Sequence, residues 1–158
     1  MSHAPRIPYT NLAPKAFKGL LDLSNAVHNG ALGPRLAELV FLRVSQINGC
    51  SFCIDMHWQA LIKQGMEPRH INAVAGWREA PFFEPRERAA FHWAEIVTDI
   101  SRRDPSDEEF AALRTHFSDA EIAELGFAIA AINAWNRLAI TVGAPEPGSY
   151  TPAPAESP

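Results

Sequence analysis

Apolar residues recur along this chain at intervals of three and four, the spacing that lines one side of an α-helix, and no stretch alternates as a half-buried strand between hairpin turns would. The pattern predicts an all-α protein. From Pro14 to Asn29, the residues Phe17, Leu20, Leu21, Leu23, Ala26 and Val27 form a broad apolar face, and Gly30 and Gly33 then punctuate the chain. Pro34 suits the first turn of a second helix, where its missing N–H costs nothing. Leu36, Leu39, Val40, Leu42, Val44 and Ile47 carry that helix to Asn48, with Gly49 as its stop. A third helix is expected to begin near Cys50 and run to Gln64, closed by Gly65, and a shorter one from Pro68 through Trp77.

After a turn-like stretch from Glu79 to Pro85, the repeat of Ala89, Ala90, Trp93, Ile96, Val97 and Ile100 predicts a helix over Arg86 to Ser101. Ser106 with Glu109, and Ser118 with Glu121, fit the capping box, in which a serine and a glutamate three residues on satisfy free N–H groups at a helix start. The last helix, from Asp119 to about Val142, is apolar nearly all round, which requires burial by several neighbours, part of it by another subunit. The expected plan is one domain, a bundle of six to seven helices over residues 14–143. A short arm (1–13) precedes it and an extended or disordered Pro-rich tail (144–158) follows.

Composition narrows the function. A length of 158 residues with 47% hydrophobic content suffices for one real core. The net charge of −4, with basic residues scattered among acidic ones, lacks the footprint of a nucleic-acid binder. The N-terminus has no apolar run of signal-peptide length, and the uncharged segment Leu125 to Asn136 falls short of the ~20 residues that span a bilayer. A cytoplasmic protein with no membrane helix is expected. Its only two cysteines, in a reducing compartment, then point to chemistry more than to a structural staple.

Those cysteines, Cys50 and Cys53, stand three apart, and His57 follows four residues later. On a helix such positions are neighbours at roughly 5 to 6 Å between Cβ atoms, within the reach of a reversible disulfide. A helix start and a nearby imidazole both favour the reactive thiolate. Glu38 lies three turns before the Asn48–Gly49 bend, so an antiparallel hairpin brings its carboxylate alongside His57, where it can orient the imidazole.

The series Glu38, eleven residues, Cys50-Ser51-Phe52-Cys53, three residues, His57 resembles the motif of the AhpD-like alkylhydroperoxidases within the carboxymuconolactone decarboxylase family. The likeness is strongest over Pro34 to Gln64 and looser over nearly the whole chain. It implies a peroxidase in which Cys53 attacks the peroxide and becomes a sulfenic acid, Cys50 condenses with it, and His57 and Glu38 form the proton relay. It also implies no bound cofactor, an external dithiol reductant of lipoyl type or a thioredoxin-like protein, and a homo-oligomer, trimer or hexamer. Some members carry a second histidine immediately before the second cysteine, where this chain has Phe52, which implies a simpler relay. Decarboxylase branches lack the cysteine pair.

Two alternatives stay open on the residues alone: a redox-sensing or interaction module without turnover, and a zinc site built from the same side chains. A thioredoxin-like fold does not fit, because no strand precedes the C-x-x-C. His28, His70, His92 and His116 have no partners at helical spacing and are expected as surface or half-buried residues. Phe52, Trp58, Trp77, Phe82, Phe83 and Trp135 are expected as core or interface packing, with Phe52 and Trp58 near the cysteines where either can border the entrance, and Asn133, Asn136 and Arg137 interrupt the last helix and need partners.

Overall fold

Proline and serine set most of the helix starts in this chain. Pro14, Pro34, Pro68 and Pro85 occupy the first helical positions of their helices, where a fixed φ helps and no N–H is wasted. Ser106 and Ser118 close the two expected capping boxes, and Glu84 with Glu87 closes a third. The computed structural model describes residues 5–150. Among them the helices are α1 (Tyr9–Leu12), α2 (Pro14–His28), α3 (Pro34–Asn48), α4 (Ser51–Lys63), α5 (Pro68–Asn72), α6 (Pro85–Thr98), α7 (Asp107–Arg114) and α8 (Asp119–Val142). A single 3-10 turn, Ala73–Gly76, follows α5, and no strand occurs among the described residues.

The all-α expectation holds, with local differences. The N-terminal arm contains the helical turn α1, which brings the count to eight where six to seven helices were expected. The segment from Pro68 to Trp77 is not one helix but α5 plus the 3-10 turn. Helix α6 ends at Thr98, so Ile100 lies beyond it and is 53% exposed. Residues 144–150 of the expected tail turn back along the bundle, where the Gly148 N–H donates to Asp55 Oδ2 at 2.9 Å. The remainder of that tail lies outside the described residues.

Helix α3 is the axis of the bundle. Its residues from Leu36 through Leu42 are all buried, because α3 is covered on one side by α6 and α8 and on the other by α4 and the α5 region. Val40, Phe41 and Val44 pack with Leu125, Ile129 and Ile132 of α8 and with Ala94 of α6. Leu39 and Leu42 face Leu61, Ile71, Val74 and Phe91. Each such aliphatic side chain contributes about 1.5–3 kcal/mol by leaving water.

By length and a mean hydropathy of 1.3, α8 is apolar enough to cross a membrane, which the uncharged run alone did not reveal. Its polar interruptions show how it is used instead. Asn136, fully buried, donates to Ser45 Oγ at 3.0 Å and accepts from Asn48 at 2.9 Å. Asn133 donates to Thr98 of α6 at 3.1 Å and accepts from Asn48 at 3.0 Å. Arg137 bonds back to Asn133 within α8. The asparagines therefore fix the register of α8 against α3 and α6, since leaving such groups unpaired in the core would cost about 1–3 kcal/mol each.

Candidate active site

The hairpin of α3 and α4 places most of the predicted site. Gly49 closes α3 in the left-handed conformation, with φ of 73°, and the Cys50 N–H then reaches back to the Ser45 carbonyl at 3.1 Å. The chain reverses within two residues, and Glu38 and His57 meet across the hairpin at 2.7 Å, Oε2 to Nδ1. Both side chains are 8% exposed. Cys50 is not inside α4 but is its N-cap, the Sγ accepting the Cys53 N–H at 3.3 Å. Cys53 thus sits in the first turn, at the positive end of the helix dipole, where a thiolate is favoured. A disulfide joins the two cysteines, whose Cα atoms are 5.3 Å apart, so the structure represents the oxidised pair.

The carboxylate dictates the tautomer of the imidazole. Burial pushes the Glu38 carboxyl up, but hydrogen bonds from His28 and His57 outweigh burial and hold it down at about 2, so Glu38 is an anion at neutral pH. An anion can only accept; Nδ1 of His57 therefore carries a hydrogen, and in the neutral imidazole Nε2 presents a lone pair. That Nε2 is buried and has no hydrogen-bond partner. A bare acceptor on the same helix as Cys53, four residues away, is what a thiol proton requires.

These groups line a cavity of about 370 Å³. Its walls are largely apolar and include the aromatics Tyr9, Phe17, Phe41, Phe52 and Trp135, together with Met56. Phe17 links Tyr9 and Trp135 in edge-to-face contacts with centroids 6.3 and 5.7 Å apart, and the Trp135 indole N–H donates to Ser24 Oγ at 2.8 Å. Ala144 and Pro145 close one side, held where the Arg6 N–H bonds the Val142 carbonyl at 2.8 Å. No lysine or arginine lines this space. Phe52 borders the cavity as expected; Trp58 does not, and packs instead against the cluster around Leu61 and Ile71.

One member of the site was missed. His28, the last residue of α2, places Nδ1 at 3.2 Å from the other oxygen of Glu38 and lines the same cavity. No helical spacing links His28 to Glu38; only the turn at residues 29–33 sets that contact. The other histidines among the described residues stay apart from the site: His70 stacks on Phe82, His92 lies 3.5 Å from Glu109, and the His116 carbonyl accepts from Arg86. Among the described residues no group of three or more His, Cys, Asp or Glu is arranged to hold a metal ion, so the zinc alternative finds no geometric support.

The comparisons agree with this fold. A crystal structure of a protein of unknown function from Agrobacterium tumefaciens, named as a candidate AhpD antioxidant defence protein, superposes with a TM-score of 0.83 at 40% identity, over 94% of this chain and 99% of that one. The uncharacterized protein YdfG of Bacillus subtilis is 34% identical over 138 residues, 87% of this chain and 94% of its own length. Alkyl hydroperoxide reductase AhpD of Coxiella burnetii is 42% identical over 50 residues, only 32% of this chain and 28% of that protein. The sequence profile of the carboxymuconolactone decarboxylase family matches residues 14–95, more than half of the 158. The chain is therefore an AhpD-like member of the carboxymuconolactone decarboxylase family.

Proposed function

We propose that this protein is a thiol-dependent peroxidase that reduces hydrogen peroxide or organic hydroperoxides through Cys53 and Cys50, using an external dithiol of lipoyl type or a thioredoxin-like protein. In the reduced enzyme, the Cys53 thiol passes its proton to His57 Nε2, and Glu38 stabilises the imidazolium through Nδ1. The thiolate attacks the terminal peroxide oxygen, the O–O bond breaks, and the leaving alkoxide takes the proton back from His57. Cys53 is then a sulfenic acid. Attack by the Cys50 sulfur displaces water and forms the disulfide, which the dithiol reopens by exchange.

The observation that carries this reading is the buried His57, fixed by Glu38 at one nitrogen and bare at the other, beside a Cys50–Cys53 pair that can close. The aromatic cavity further supports organic hydroperoxides, because about 370 Å³ greatly exceeds the ~30 Å³ that a water-sized molecule occupies. Association of copies as a trimer or hexamer belongs to the same proposal, and Phe127, 58% exposed on α8, is one apolar side chain such an interface would cover. The test is consumption of cumene hydroperoxide with dihydrolipoamide as donor, run beside Cys53→Ser. Turnover lost in the variant, with helix content unchanged, is the expected result. Equal consumption by both proteins would overturn the mechanism, and a disulfide that forms once without turnover would instead mark a redox sensor.

A further inference from the structure

Glu38 has a second partner that the peroxidase cycle does not use. Its Oε2 takes His57 Nδ1 at 2.7 Å, and its Oε1 takes His28 Nδ1 at 3.2 Å, so two imidazoles from separate helices share one buried carboxylate. They are unequal: the His57 side chain is 8% exposed and that of His28 37%. His57 faces the cysteines along α4, whereas His28 closes α2 and reaches solvent.

We propose that His28 is a positioning residue that sets the pH threshold of Cys53 activation: as a cation it claims part of the Glu38 charge, and on losing its proton it returns that charge to His57. This inference rests on the thiol-peroxidase reading and deepens it. One carboxylate supports one imidazolium well; a second proton in the same cluster meets the charge of the first across the shared carboxylate. While His28 is charged, a proton arriving at His57 from Cys53 is therefore less welcome. Once His28 is neutral, Glu38 serves His57 alone.

The surroundings leave few other groups to confuse this response. Helix α1 contributes Tyr9, and the C-terminal segment brings Tyr150 close to Glu38; burial raises both phenols above their usual range, and the Glu38 charge adds to the rise for Tyr150. The part of α8 in the cavity wall contributes Ile132, Trp135 and Ala139, none of which titrates there. Glu124 of α8 is engaged by the Leu32 N–H at 3.3 Å, in the turn beyond His28. Among the described residues lining the cavity, the groups whose chemistry allows a charge change near neutrality are thus the two imidazoles and, in the reduced protein, the Cys53 thiol itself. The hydrogen bond to Glu38 holds His28 above its ordinary value despite partial burial.

The test uses alkylation of Cys53 by iodoacetamide in the reduced Cys50→Ser protein, followed from about pH 5 to 9, which spans the ordinary values of histidine and cysteine. His28→Gln can still donate a hydrogen bond to Glu38 but cannot become a cation. It should move the acid limb of the profile down by half a pH unit or more, raising alkylation about threefold near pH 6 and leaving it unchanged near pH 8.5. His28→Lys, a standing cation, should move the limb the opposite way. A His28→Gln profile that superimposes on the parent, or one lowered equally at every pH, overturns the proposal, the second outcome marking a purely structural role. A parent profile with one ordinary thiol ionisation would overturn the proton relay itself, and this inference with it. Because alkylation needs no peroxide, an inference that fails on these profiles is separable from a failure of peroxide turnover.

Discussion

Two of the carboxylates drawn into this bundle, Glu95 and Glu38, differ in what surrounds them. Glu95 on α6 accepts from Arg43 at 2.7 Å, Arg78 at 2.6 Å and the Trp77 indole at 2.8 Å, with its side chain 17% exposed. Glu38 on α3 is 8% exposed and meets only imidazoles. In both cases burial pushes the carboxyl up and hydrogen bonds pull it below its ordinary value. Guanidinium groups never lose their charge in a protein, so Glu95 is a clamp between α3, α6 and the loop after α5. Imidazoles gain and lose protons near neutrality, which suits the same kind of anion to the proposed relay. The partners, not the carboxylate, decide which role it plays.

The largest effect expected from breaking this contrast is in Glu38→Gln. Peroxide turnover and Cys53 alkylation at neutral pH should fall about a hundredfold, the size of one general-base contribution, while helix content is kept. Glu95→Gln should do the reverse. Its turnover should stay within about twofold, but the stranded Arg43 should cost about 1–2 kcal/mol, read as a melting temperature lower by about 3–6 °C. A Glu95 variant with full stability and lost turnover would abolish the distinction.

The smallest effect is on stability against pH. The His28 value is raised in the folded state, so its contribution is fully present below the ordinary histidine range and fades as pH rises through the folded value. His28→Gln should therefore be less stable than the parent near pH 6 and equal to it near pH 8.5, by under about 1 kcal/mol because His28 is partly solvated. Denaturant midpoints at both pH values measure this. The Glu95 contribution should instead be flat across the same window, since its lowered carboxyl loses stability only as pH falls through the acid range.

Helix type, the capping boxes at Ser106 and Ser118, and the meeting of Glu38 with His57 were all legible, because each depends on spacing within one helix or one tight hairpin. The role of Cys50 as a cap and not a helical residue turned on a boundary shift of one position, which periodicity does not resolve. His28 and the cavity walls from Tyr9, Phe17 and Trp135 were not legible, because they converge through packing between helices distant in sequence. Tyr9 was also hidden in an arm with too few residues to show a helical period.

The tight reversal at Gly49 has a consequence for how this chemistry is inherited and built. Residues 38–57 form a contiguous stretch that holds the carboxylate, both sulfurs and the relay imidazole, and its contacts close over short chain separations. Local contacts of this kind form early and tolerate change elsewhere. The groups of the proposed reaction therefore lie in one short cassette, whereas the cavity wall and His28 are assembled from distant segments. On the proposed reading, changes in the chain ends and α2 would alter the cavity and the second imidazole while leaving the cassette intact.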